Sequence, residues 1–250
     1  MIYGKFAYSA SVNAVLQSVI SGPRLSPYLA ASGGDLQAAL DLYVWNIGAA
    51  AALFGPLQVL EVTVRNAIDR ELRAMLGPSW PFGPRFARIA AKARARGKKV
   101  PDLLFGIRSA RRSLSRSLRN AAGPTATLPT FTTDDIVAAM AFGSWTAMLG
   151  PSFEPDLWAP AVQNAFPNYS AVTHAVFHRG PIAARFEDLR MLRNRVMHHE
   201  PLTKRPSLVS DFDNIVEACA WIDLEAAGWI QHHARFREVL GVRERPRHAF

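Results

Sequence analysis

The chain has 250 residues, with 29 Lys and Arg against 20 Asp and Glu, so it carries a formal charge of +9. Hydrophobic residues at 49% and charged residues at 20% supply a sizeable core, and they exclude wholesale disorder and the collagen-like and low-complexity classes. Cys219 is the single cysteine, which excludes an internal disulfide and the disulfide-stapled secreted class, supplies no structural zinc site by itself, and makes the cytoplasm the expected compartment.

From the start of the chain, Met1 to Phe6 and onward show no basic start followed by an apolar run and a small-residue cleavage site, so no signal peptide is expected. Apolar residues then recur at three- and four-residue spacing almost throughout, without sustained alternation of β-branched residues, which predicts an all-α protein. Leu36, Leu40, Tyr43 and Ile47 open a long apolar face. It resumes after Gly55-Pro56 with Leu57, Leu60, Val64, Ile68, Leu72 and Met75 and stops before Gly77-Pro78, as two helices or one kinked one. The nineteen residues from Leu42 to Leu60 carry no formal charge, close to the roughly 20 that span a bilayer. Asn46, Gln58, the abundant Ala and Gly55-Pro56 favour a buried helix over a membrane span.

Pro84 starts a helix to about Arg96, stopped by Gly97, and Pro101 or Asp102 starts another to about Ala122. A Pro- and Thr-rich linker follows over 123–131, then Thr132 and Asp135 in capping-box spacing. Shorter helices are expected around 133–149, 155–165 and 170–178, the last with Ser170 as N-cap and ended by Gly180-Pro181. The next runs from about Ile182 to His199, because Pro201 disfavours helical geometry at Glu200. A helical hairpin over 207–240, with Gly228 as a possible break, closes a chain read as one domain, 1–250, with a basic helical insertion at about 84–122.

Residues 85–119 hold twelve bases and one acid, Asp102, a local charge of +11, whereas the remainder sums to −2. On helical spacing Arg85, Arg88, Lys92, Arg96 and Lys99 form one stripe beside Phe86, Ile89, Ala90 and Ala93. Arg108, Arg111, Arg112, Arg116 and Arg119 share a face opposite Ile107, Ala110, Leu114 and Leu118. Two cationic amphipathic helices suit a polyanion such as RNA. The alternatives are a solvated face that maintains solubility and a membrane-surface helix.

Residues 189–202, LRMLRNRVMHHEPL, gather Arg190, Arg193, Asn194, Arg195, His198, His199 and Glu200 at the end of an amphipathic helix. Arg190, Asn194 and His198 are four residues apart, whereas Arg193 falls beside Leu189 and Val196, partly buried. A guanidinium placed there needs a carboxylate such as Glu61 or a cavity that admits an anion. A nearby histidine exchanges a proton near neutral pH, which attack by a ribose 2′-hydroxyl on its phosphodiester requires, and that reaction needs no metal. On spacing alone the histidines also suit an ordinary helix C-terminus. Zinc ligation is disfavoured, because adjacent histidines diverge by about 100° on a helix. Nucleotide-binding GKS or GKT, G-x-G-x-x-G and G-x-S-x-G strings are absent from the sequence.

LRNRVMHHEPL resembles the Arg-x4-6-His signature of the HEPN superfamily, specifically the Abi-like abortive infection proteins. RLSPYL at 24–29, LYVWN at 42–46, LEVTVRNAID at 60–69, AFGSW at 141–145 and LWAPAVQNAFP at 157–167 look like that family's landmarks in the same order, covering about residues 24–203. The resemblance implies a HEPN-type helical bundle carrying the basic hairpin as an addition, and a homodimer that brings two motifs together. It further implies metal-independent endoribonuclease activity in phage defence or as a toxin, without a cofactor. Carried onto this chain, Arg193 is the phosphate-binding Arg, Asn194 the polar residue after it and His198 the catalytic His, with His199 secondary. Glu61, Arg65 and Asn66 match a second polar cluster. Tyr, which members modified by a partner nucleotidyltransferase often carry two residues after the His, is replaced here by Glu200, so that modification is not expected. The expected partners are RNA, a second copy and an antitoxin or regulatory RNA, with no membrane. The rival expectation is a non-catalytic RNA-binding or partner-binding module of the same superfamily.

Overall fold

The computed structural model describes residues 9–97, 103–123 and 130–241, and every regular element among them is helical. Met1 to Phe6, Lys98, Lys99, the helix start at Pro101 or Asp102 and most of the Pro/Thr linker lie outside the described residues. Two short helices, α1 (Ala10–Ile20) and α2 (Gly22–Ala31), precede the element that organises the rest, α3 (Leu36–Leu76), 41 residues long. The Asp35 carboxylate caps α3 by accepting from the Ala38 amide at 3.0 Å. Helical structure continues unbroken through Gly55-Pro56. An interior proline costs about 3 kcal/mol, and burial of Pro56 and of the flanking Leu53, Leu57 and Leu60 offsets that cost. By length and composition α3 could cross a membrane. In this fold it is packed by α2 and by α9 (Arg179–Met197), α10 (Leu208–Ala220), α11 (Leu224–His233) and α12 (Phe236–Val239).

The basic hairpin is α4 (Pro84–Arg96) and α5 (Leu103–Ala122), with the bounds expected from Pro84, Gly97 and Gly123. Phe86, Ala90, Ala93, Ile107 and Ala110 are buried in the same continuous core as α3, α9 and α10, so the hairpin is built into the core rather than standing apart. Asp69 ties the end of α3 to this region: its carboxylate, buried, accepts from the Trp80 indole at 2.7 Å and from Arg73 Nε at 2.7 Å. Arg73 also reaches Asp134 at 2.6 Å.

Several boundaries differ from the sequence expectation. The segment 133–149 is two helices, α6 (Thr133–Ala139) and α7 (Phe142–Ala147), interrupted where Met140 and Ala141 are extended. The capping box of Thr132 and Asp135 forms as expected. Over 155–165 there is no α-helix: a π-turn at Glu154–Trp158 and a 3-10 turn at Val162–Ala165 let Trp158 stack on Phe166 and Phe177. Aromatic packing there overrides helix propensity. Next, α8 (Tyr169–Thr173) starts one residue before Ser170, which is therefore not its N-cap. Gly180-Pro181 sits in the first turn of α9, where a proline removes no needed donor, so it does not separate the two elements. Finally, Gly228 lies inside α11, and the break falls at Trp221–Asp223, where the Asp223 carboxylate accepts from the Ala226 amide at 2.8 Å.

Candidate functional site

The polar string of α9 is fixed by contacts at both of its ends. Leu189, Leu192 and Val196 are fully buried or nearly so and seat the helix on α3, which leaves Arg193 half-buried between them. Its Nε donates to Glu61 Oε2 at 3.1 Å, the carboxylate partner expected from the sequence. Both Arg193 Nη atoms are without a hydrogen bond among the described residues. Beside this pair lies an open groove of about 260 Å³ lined by Arg193, Glu61, Arg65, Gln58, Val62 and Met197, among others. Arg65 reaches the Ala138 carbonyl and Asn66 Oδ1, each at 3.4 Å, which brings α6 to the groove's edge; Asn66 itself is exposed.

The other end is a corner. Helix α9 stops at Met197, two residues earlier than the sequence suggests, and His198 is its C-cap. His199 takes a left-handed conformation with φ of 57°. Its amide donates to the Val196 carbonyl at 3.3 Å and the Glu200 amide to the Arg195 carbonyl at 2.8 Å, the two bonds of a Schellman termination, with Pro201 next. Arg24 Nη1 of α2 donates to the His199 carbonyl at 2.8 Å, and Asn46 Oδ1 of α3, buried, accepts from the Leu202 amide at 2.7 Å. Asn46 thus satisfies a buried backbone donor, and it is the polar residue that stood out in the otherwise apolar run.

The structure does not bring all the expected residues together. The His198 side chain is exposed and does not line the Arg193 groove. Five residues of helix turn it about 140° from Arg193. Arg190, expected on the same stripe as Asn194, faces a different cavity of about 720 Å³ and is held by Glu187 at 2.8 and 2.6 Å. That hydrogen bond holds the Glu187 carboxyl below its usual range. Asn194 is half-buried, with its carbonyl accepting from the His198 amide at 2.9 Å. Arg205 anchors the chain beyond the corner through Asp188, at 2.9 and 3.0 Å, and through Asp211. Among the described residues no three His, Cys, Asp or Glu side chains are grouped to hold a metal ion.

The cationic face is present, with exceptions. Arg85, Arg88, Lys92, Arg96, Arg108, Arg111, Arg112, Arg116 and Arg119 are all exposed. Arg96 pairs with Asp156 from the π-turn and Lys92 approaches the same carboxylate at 3.9 Å, so an acid distant in sequence neutralises part of the α4 stripe. Arg111 lies over Phe82 and Arg112 over Phe105, with guanidinium carbons 5.9 and 5.5 Å from the ring centroids. Helix α5 packs on α6, whose Ala138 meets Arg65, so the basic helix and the groove flank the same short helix. Gly106 permits a close approach of α5 to α7 instead: a Cβ there would lie 2.8 Å from Ser144 Oγ.

Each of the five sequence strings noted above touches α9 or its corner. Arg24 of RLSPYL binds His199, Asn46 of LYVWN binds Leu202 and Glu61 of LEVTVRNAID binds Arg193. Gly143 of AFGSW faces the Arg190 side chain at 3.7 Å from its would-be Cβ, and Phe166 of LWAPAVQNAFP packs on Phe186 with ring centroids 5.5 Å apart. Sequence reasoning missed Arg24 and the role of Asn46; each had a signal, as a charge in a short string and as a polar residue in an apolar one. No family model, no curated protein and no solved structure matches this chain.

Proposed function

We propose that the protein is a metal-independent endoribonuclease built on a HEPN-type bundle, acting in phage defence or as a toxin in the cytoplasm. The observation that carries this reading is Arg193: its Nε is fixed by Glu61 while both Nη atoms are left beside an open groove, the arrangement that grips a phosphate through two parallel hydrogen bonds. In the reaction the ribose 2′-oxygen attacks phosphorus and the bond to the 5′-oxygen breaks. His198 moves a proton from the 2′-hydroxyl or to the leaving oxygen, giving a 2′,3′-cyclic phosphate and a 5′-hydroxyl.

Because His198 and Arg193 of one chain diverge, the proposal requires a homodimer in which two motifs share one groove. Exposed Val44, Ile47, Phe54 and Val62 on one side of α3, beside exposed Met197, support a self-association face. The cationic faces of α4 and α5 hold the RNA backbone, and an antitoxin or regulatory RNA is a further partner in the proposal. The test is incubation of wild type, Arg193→Ala and His198→Ala with mixed RNA in EDTA, reading product ends. Cyclic phosphate ends made by wild type alone support the reading, and unchanged cleavage by Arg193→Ala overturns it.

The second reading is a non-catalytic RNA-binding or partner-binding module, favoured by the placement of His198 away from the groove. Salt-sensitive RNA binding without turnover by the dimer would identify it.

A further inference from the structure

On the far side of Gln58 from Arg193 lies a second depression, about 210 Å³, lined by Pro56, Val59, Gln58, Trp229, Ile230 and His233. Its rim carries a large exposed aromatic. Trp229 has 55% of its surface open, whereas Trp80, Trp145, Trp158 and Trp221 are buried. The open indole is not a floppy side chain, because the His233 ring, one turn on, packs against it with centroids 4.8 Å apart, and the His232 ring packs on His233 at 4.7 Å. Gly55 also lines the depression and has no heavy atom within 4 Å of a would-be Cβ.

Gln58 lines both this depression and the Arg193 groove, so the two are neighbours across one turn of α3. From Pro56, which lines the Trp229 depression, to Glu61, which pairs with Arg193, the axial rise is about 8 Å at 1.5 Å per residue. Two or three nucleotides of an extended strand cover that rise together with the width of the helix. The open face of an indole that is itself braced by an imidazole accepts the flat face of an unpaired base, and stacking of this kind tolerates any base.

We propose that Trp229 and His233 form a stacking platform for a nucleobase two or three nucleotides from the phosphate held at Arg193, which makes the ligand single-stranded RNA rather than a duplex. This inference rests on the reading of the Arg193 groove given above and adds a substrate class to it. The amide of Gln58, between the two, is placed to meet the sugar or base edge that passes from one to the other.

The probe is a fluorescently labelled 2′-O-methyl oligoadenylate of about eight nucleotides, within the range of site sizes for single-strand binders. It lacks the 2′-hydroxyl nucleophile and so reports binding without cleavage. Anisotropy and intrinsic tryptophan fluorescence are measured for wild type, Trp229→Ala and Trp229→Phe, with circular dichroism confirming the fold. Expected is quenching of the wild-type emission at saturation, about tenfold weaker binding by Trp229→Ala with that quenching lost, and near wild-type binding by Trp229→Phe. Equal affinity of wild type and Trp229→Ala, with RNA cleavage intact in both, overturns the platform and leaves the ribonuclease reading standing. Absence of both oligonucleotide binding and cleavage by wild type overturns the two together. Conversion of a wild-type dimer to monomer by Trp229→Ala, with oligonucleotide affinity unchanged, also overturns the platform and assigns the slot to a second copy of the chain.

Discussion

Replacing His199 by Gly and, separately, by Val separates a conformational role from a chemical one. His199 sits at φ of 57°, in the left-handed region, and two hydrogen bonds close the α9 corner around it. A side chain with a Cβ in that region costs about 1–2 kcal/mol. Glycine avoids that cost but adds about 0.5–1 kcal/mol of unfolded-state entropy. His199→Gly is therefore expected to be neutral or up to about 1.5 kcal/mol stabilising. Valine, branched at Cβ, worsens the clash and strains the Glu200-to-Arg195 bond, a loss of about 2–3 kcal/mol. For a domain of this size 1 kcal/mol shifts Tm by about 2–4 °C, so the two variants separate clearly in thermal unfolding followed by circular dichroism. Cleavage of RNA should survive in His199→Gly and vanish in His198→Ala. The reasoning is refuted if His199→Gly loses more stability than His199→Val. Loss of cleavage by a well-folded His199→Gly would instead make the His199 imidazole the reacting one.

Asn46→Leu leaves the buried Leu202 amide without its acceptor and should cost about 1–3 kcal/mol in urea unfolding; an unchanged midpoint would show that the corner is not held from α3. Burial raises the Cys219 thiol from 9.0 to about 11, so the folded state keeps a proton that the unfolded chain loses, and stability should fall as pH rises from 9 towards 11. Cys219→Ala should lack that alkaline loss, and the native thiol should resist alkylation at neutral pH. The hydrogen bond from Arg205 holds the Asp188 carboxyl below its usual value, so its contribution is complete above the ordinary aspartate range near pH 4 and is lost as pH falls through the depressed value. Asp188→Asn should flatten the acid limb of the stability curve, and an identical limb would refute the assignment. Arg111→Glu with Arg116→Glu should weaken RNA binding and reduce the slope of log K against log salt by about 0.7 for each lost phosphate contact; an unchanged slope would remove this face from the binding surface.

The sequence made the all-α class readable because helical periodicity recurs at every scale from α3 to α10, and apolar spacing placed Phe86, Ile107 and Leu189 inward correctly. The Arg193–Glu61 pair was also readable, since a guanidinium on the apolar side of a helix requires a carboxylate or an anion. Local signals failed where distant packing decides. Pro56 reads as a break or a kink, but with Pro56 and its neighbours buried α3 continues through it as one helix. The Glu154–Trp158 turn is set by stacking among Trp158, Phe166 and Phe177, which no local spacing encodes. The turning of His198 away from Arg193 follows from where α9 ends. That end depends on a left-handed histidine rather than on the glycine that usually signals one.

Asn46 and Glu61 stand fifteen positions apart on one uninterrupted rod, and between them they hold both ends of the stretch from Arg193 to Leu202. Tolerance to changes of length should therefore be uneven along the chain. A single residue inserted between Asn46 and Glu61 rotates one attachment about 100° relative to the other and cannot be absorbed without breaking one of them. Extra residues between Gly97 and Leu103 transmit no such rotation to these attachments, because both attachments lie on α3.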